Sequence, residues 1–227
     1  VVGAIYAAAG IAGALAMSGG GELTDRYGPR RVMVASLGLR SLNLAAMGWT
    51  VYVHGPLWLI AALVVGNGVF RSTFTPAANA AAAALAGPTR RLDAFATLRI
   101  GMNLGWVGGP ALGGLMAEGS YARLFLLAAP LTLAALLTVV RIGAAATAGP
   151  TQRIDWDSLW ELRHDRRLLG FLLTGVLMMM LVGQLISTIT VYSEAILRIP
   201  KPRIGLLYTM NALAVIALQA RVVRRIH

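Results

Sequence analysis

Three arginines, Arg40, Arg71 and Arg99, stand inside long apolar stretches of this chain, where a guanidinium is costly and marks either a partner or a bound group. Arg71 lies near the middle of its stretch. Asn67, Arg71 and Thr75 follow at four-residue steps and would form one polar stripe on a helix. Arg99 and Asn103 make a shorter stripe. Gln184 and Thr188, then Tyr208, Asn211 and Gln219, add uncharged hydrogen-bonding groups, each of which would serve equally well as a bond between helices. Such side chains recognise polar or anionic groups. The acids point elsewhere: none of the nine lies deep within an apolar stretch, so none is placed to titrate there. His54, His164 and His227 fall outside the stretches, cysteine is absent, and no acids are paired within the stretches. No catalytic residue, metal site or cofactor is therefore expected, and an enzyme is disfavoured. The one lysine, Lys201, sits beside Pro200 and Pro202, which removes a membrane-embedded Schiff base from consideration.

The elements that would carry these groups follow from composition. Hydrophobic residues make up 57% of the chain and charged residues 13%, with a mean hydropathy of +0.70. An ordinary soluble domain has roughly 45–50% and 25%, so a water-facing surface cannot accommodate this much apolar area. The apolar residues come in runs of the length a bilayer demands, about 20 residues. Seven spans are expected, over residues 1–20, 32–53, 57–86, 94–117, 121–142, 168–192 and 204–220. Backbone polar groups in hydrocarbon must pair within their own segment, and the runs are too long for barrel strands, so the fold class is an all-α membrane protein.

The net charge of +11 would suggest nucleic acid in a soluble protein, but the basic residues cluster in the gaps between spans and instead orient helices in a lipid bilayer. Arg26, Arg30 and Arg31, then Arg90 and Arg91, then Arg153, Arg163, Arg166 and Arg167, and finally Arg221, Arg224 and Arg225 occupy alternate gaps. The intervening gaps hold none, one (Arg123) and three (Arg198, Lys201, Arg203), the last running against the pattern. The richer set is expected to be cytoplasmic. The longest gap begins with a small-residue linker, Gly143 to Pro150. Ile154, Trp156, Leu159, Trp160 and Leu162 then read as a surface amphipathic helix or as part of a solvated linker.

Two motifs carry more. Gly21-Glu22-Leu23-Thr24-Asp25-Arg26-Tyr27-Gly28-Pro29-Arg30-Arg31 joins the first two spans; Gly21 and Gly28 permit a tight reversal, and the arginines anchor it among head groups. A plain charged turn would use the same residue types. Farther on, Gly105-Trp106-Val107-Gly108-Gly109-Pro110-Ala111-Leu112-Gly113-Gly114 continues a four-residue repeat of glycines from Gly101 to Gly113, a face without side chains that a neighbouring backbone can approach. Pro110 removes a hydrogen bond and invites a bend. Arg99 and Gly101 lie about 200° apart around this helix, leaving one face to pack and another to line a pore.

The first motif resembles the signature loop between the second and third helices of the major facilitator superfamily, with Pro29 where a basic residue is usual. The second resembles the fifth-helix element that marks antiporters in that superfamily. Gly66, Gly68 and Pro76 are similar to its fourth helix, and Phe95, Arg99 and Asn103 to the start of its fifth. The resemblance covers nearly the whole chain as helices two to eight of twelve, a fragment. It implies a partial major facilitator superfamily fold: residues 1–142 as most of the N-terminal bundle, 143–167 as a cytoplasmic linker, and 168–227 as the start of the C-terminal bundle.

The same resemblance implies function. Gly21, Asp25, Arg26, Gly28, Arg30 and Arg31 would be a cytoplasmic gating latch between the two halves. Gly105, Gly109, Pro110, Gly113 and Gly114 would be the antiporter-type element, and Asn67, Arg71, Arg99, Asn103, Gln184 and Asn211 the cavity candidates. Arg40 belongs to a helix outside the family's cavity, so its expected role is to snorkel to the cytoplasmic interface. The implied protein is a secondary active exporter of small-molecule solutes in the plasma membrane, multi-pass, with protons as coupling ion and a monomer when complete. Proton-coupled drug exporters of this family usually carry an arginine four residues before the fourth helix's Gly-x-Gly; here that place is Ala62, which puts the coupling in question. A carrier for an anionic solute is the alternative, because the buried charges are all positive; a non-transporting membrane sensor with the same fold is another.

Overall fold

The computed structural model describes residues 2–141 and 165–226. Seven long helices account for nearly all of them: α1 (Val2–Tyr27), α2 (Pro29–Tyr52), α3 (Leu57–Ala86), α4 (Arg91–Gly119), α5 (Tyr121–Arg141), α6 (Arg166–Ala195) and α7 (Lys201–Ile226). A single 3-10 turn, Pro88–Arg90, links α3 to α4. Each expected span falls on one of these helices. Four of them, α1, α3, α5 and α6, are long and apolar enough by composition alone to cross a membrane. The other three have the length, but arginines dilute their hydropathy. The surface agrees: Phe171, Leu181, Trp58 and many other large apolar side chains lie exposed, which suits lipid rather than water. The chain is an all-α multi-pass membrane protein. The 143–167 linker and its amphipathic segment lie outside the described residues but for the last three, where Asp165 caps α6 through the backbone amides of Arg167 and Leu168, at 2.9 and 3.2 Å.

The helix junctions follow local chemistry. Gly28 takes φ of +85°, which a side chain resists, and Pro29 opens α2, where its missing N–H costs nothing. The reversal is tighter than the sequence suggests. Residues Gly21 to Tyr27 remain helical as the end of α1, so the turn is made at Gly28 alone and Gly21 is an ordinary helical residue. Charges on a helix end do not stop its backbone hydrogen bonds from continuing.

Helices α1 and α3 run parallel side by side, and α2 lies antiparallel to both α3 and α5. Small residues decide how close they come. A Cβ on Gly20 would meet the Cα of Thr73 at 2.8 Å, and one on Gly48 would meet Leu126 Cγ at 2.7 Å. Gly68 of α3 faces the Ala9 carbonyl of α1. Lipid is as apolar as leucine, so membrane helices associate through such close packing and not through escape from water. Ala77, Ala78 and Ala81 of α3 are buried against Val32, Met33 and Leu37 of α2 and Val139 of α5; Leu44, Met47 and Ala129 form a second cluster nearer the other end. Ser41 ties α2 to α5 by donating to the Ala129 carbonyl at 2.8 Å.

Replacing Gly20 with Leu should therefore force α1 from α3 and lower stability by about 1–3 kcal/mol, the usual cost of overpacking. Gly19→Leu is the control, since nothing lies within 4 Å of that position. Unfolding midpoints of the two variants in detergent should separate; equal midpoints would contradict the α1–α3 contact.

Candidate functional site

Polar groups meet at mid-depth between α2 and α3. Arg40 lies near the middle of α2 and Arg71 near the middle of α3, about 17 and 21 Å from their helix ends at 1.5 Å per residue. Arg40 does not turn toward an interface. Its Nε donates to Asn67 Oδ1 of α3 at 3.1 Å, in a half-buried setting. Arg71 follows Asn67 by one turn of α3 and so lies on the same side of that helix. Asn43, one turn along α2 from Arg40, has a buried Oδ1 without a hydrogen-bond partner and stands beside Gly66. The stripe of Asn67, Arg71 and Thr75 is thus divided: Asn67 faces α2, the Arg71 side chain is exposed, and Thr75 donates back to the Arg71 carbonyl at 3.3 Å. No carboxylate pairs with either guanidinium among the described residues; the ion pairs there are Arg90–Asp93 and Glu194–Lys201, both at helix ends.

The other cavity candidates are scattered. Arg99 is exposed and Asn103 half-buried on α4, and Asn211 is exposed on α7. Gln184 belongs to α6, but its side chain lies outside the description. Thr190 of α6 and Tyr208 of α7 share a hydrogen bond of 2.7 Å. Between the Gly28-side ends of α3 and α4 lies an open groove of about 460 Å³, lined by Ala82 and Ala86 of α3 and Ala94 and Thr97 of α4, with Arg90 and Asp93 at the helix ends.

The glycine-rich part of α4 packs against α7, and the geometry differs from the four-residue ridge. Gly101, Gly105, Gly109 and Gly113 have nothing within 4 Å of a Cβ position, whereas Gly114 lies against the Lys201 carbonyl at 2.7 Å and Gly205 against the Pro110 carbonyl. Thr209 extends the seam by donating to the Val107 carbonyl at 2.7 Å. The contacting face of α4 is therefore Val107, Pro110 and Gly114, roughly 100° round from Gly113. The helix is unbroken through Pro110, although that residue gives up a backbone hydrogen bond. Gly205, Thr209 and Arg40 were not apparent as contact residues from sequence; glycine at 205, four residues before Thr209, is the only hint there.

At the outer limit of this seam, Lys201 stands 4.3 Å from the centre of the Tyr121 ring and 3.6 Å from Glu194 Oε1. Tyr121 begins α5, Glu194 ends α6 and Lys201 begins α7, so three helix ends are joined. At the opposite, Gly28 end, Arg30 donates to the Val140 carbonyl of α5 at 2.6 Å, in the last turn of that helix. Asp25 is exposed and has no ion pair among the described residues.

These features define a helical membrane protein in which α4 and α7 meet closely at Gly114 and Gly205. The sequence profile of the Major Facilitator Superfamily matches residues 1–227, and the chain belongs to that family. It is also similar to the "Uncharacterized MFS-type transporter YhjO" of Bacillus subtilis (strain 168), 28% identical over 175 residues; these cover 77% of this chain and 42% of the relative, so the chain spans less than half of that protein's length. No solved structure matches.

Lys201 precedes the apolar part of α7, and its amine is held above the ordinary lysine value, chiefly by the Tyr121 side chain over which it stands, with Glu194 adding to it against desolvation. A raised value contributes stability in full below the unfolded lysine value of about 10.4, and that contribution is lost as pH rises through the folded value. The unfolding midpoint of Lys201→Met should therefore lie below wild type by a constant, small margin from about pH 6 to 9, and the margin should vanish in stronger alkali. A margin that vanished on acidification alone would contradict the Tyr121 contact.

Proposed function

We propose that this chain is part of a secondary active carrier that exports small organic solutes by alternating access, coupled to protons, in the plasma membrane. The observation that carries this reading is the α4–α7 seam. Its closest contacts, Lys201 with Gly114, Gly205 with Pro110 and Thr209 with Val107, all lie in the half of α4 remote from Gly28. Two backbones that touch at Gly114 and Gly205, with one threonine hydroxyl bonded between them, can part and rejoin as rigid bodies, which suits the rocking of one helix bundle against another.

In this reading the Gly28 end is cytoplasmic, because Arg26, Arg30, Arg31, Arg90 and Arg91 gather there. The seam then closes the outer side, and the groove between α3 and α4 opens inward. Arg30, bonded to the last turn of α5, braces the cytoplasmic turn, and Asp25, free of described ion pairs, is available to a partner in the other half. The name of the Bacillus relative, a transporter, supports the same class. Protons as coupling ion rest on the resemblance of the α4 glycine element to that of antiporters, and the complete carrier is proposed to act as a monomer.

A side chain at position 205 tests the reading, because its Cβ falls on the Pro110 carbonyl. In proteoliposomes of the full-length carrier, Gly205→Leu should reduce solute movement at least about tenfold, as expected when a steric block denies one of the two facings. A cysteine introduced at Ser120 should at the same time become more reactive from the outer side. Undiminished movement in Gly205→Leu would rule out rocking at this seam. Accumulation that survives an uncoupler would rule out protons as the coupling ion.

A further inference from the structure

Two guanidiniums at mid-depth with no carboxylate paired to them among the described residues need an explanation. Like charges repel strongly where water is scarce, and a positive group at the bilayer centre is costly even alone. We infer that Arg71 and Arg40, with Asn67 fixing the latter, form a mid-membrane seat for the anionic group, carboxylate or phosphate, of the solute that is moved; this rests on the carrier reading and names its substrate class.

The geometry divides the work. Asn67 engages only the Nε of Arg40, leaving the paired terminal nitrogens to donate. Arg71, exposed and without an acceptor among the described residues, presents a whole guanidinium fork, the shape that grips a carboxylate or phosphate through two parallel hydrogen bonds. Access is built into α3: Ala82 follows Arg71 by close to three turns and so lies on the same face, and Ala82 lines the 460 Å³ groove between α3 and α4. A solute entering that groove would find Arg71 farther along the same helix face. A lipid head group is a poor occupant, because Arg71 lies about 21 Å from either end of α3, beyond the reach of its side chain.

The test uses the full-length carrier in phosphatidylcholine nanodiscs, with benzoate and inorganic phosphate as anionic probes and benzamide as the neutral match to benzoate. At least one anion should raise the unfolding midpoint saturably, and benzamide should not. Arg71→Gln should weaken that anion's apparent Kd about tenfold or more, Arg71→Lys less, and Asn67→Ala should also weaken it by releasing Arg40. Gel filtration and circular dichroism establish that each variant is folded; if Arg71→Gln is not, Asn67→Ala decides. The inference is overturned if neither anion stabilises the wild type, if benzamide does so as well as benzoate, or if the folded variants bind as the wild type does. Displacement of benzoate by added phosphatidylglycerol would assign the seat to a head group and overturn it too. A carrier blind to anions that still accumulates neutral or cationic solutes ends this inference alone; loss of all movement ends the carrier reading as well.

Discussion

The structure depends on backbones touching where side chains are missing. In water, burying apolar surface would hold these helices together, but in lipid an exposed leucine loses nothing, so attraction must come from close van der Waals contact and from hydrogen bonds. Gly20 against Thr73, Gly48 against Leu126, Gly68 against Ala9 and Gly205 against Pro110 supply the first, each at a separation that a larger residue would prevent. The second is supplied by bonds such as Ser41 to Ala129, Arg30 to Val140, Thr209 to Val107, Arg40 to Asn67 and Thr190 with Tyr208. An assembly held this way is tight but easily divided along a plane of glycines. The α4–α7 seam is such a plane, whereas α2, α3 and α5 interlock through methionine, leucine and valine as well.

In the rocking proposed above, that contrast would separate a body from a joint. The α2–α3–α5 contacts involve side chains that interdigitate, so sliding them apart would open voids on both sides. At the α4–α7 seam Gly114 and Gly205 meet the carbonyls of Lys201 and Pro110, and the Thr209 hydroxyl bonds the Val107 carbonyl. The cluster of Tyr121, Glu194 and Lys201 sits where the seam reaches the surface. Its bonds are solvent-exposed and individually weak, as suits a contact made and broken repeatedly.

How much of this was legible in the sequence varies with the physics involved. The helices were, because apolar runs of bilayer length leave the backbone no alternative, and Gly28-Pro29 marks a reversal by φ and by a missing donor. The extent of α1 was not, since charges at Glu22, Asp25 and Arg26 read as a loop although a helix leaving a membrane can carry charge without unwinding. The glycine repeat on α4 announced that something approaches closely; it did not say where. Gly113 and Gly114 are adjacent in sequence yet about 100° apart on the helix, and only the partner's position chooses between them. Arg40 shows the same limit in another form: its long side chain can reach an interface or a neighbouring helix, and the choice belongs to Asn67, which is far off in sequence.

The Arg40–Asn67 bond also bears on why a costly charge persists at mid-depth. An arginine that snorkels leaves the hydrocarbon and needs no partner, so nothing would hold it there. Tying its Nε to an amide holds the group at depth while satisfying only part of its hydrogen-bonding capacity. A structure that needed only a bridge between α2 and α3 could use two neutral side chains at lower cost, as Ser41 does toward α5 by bonding a backbone carbonyl. The positive charge that the described residues leave unpaired is what the anionic solute proposed above would meet.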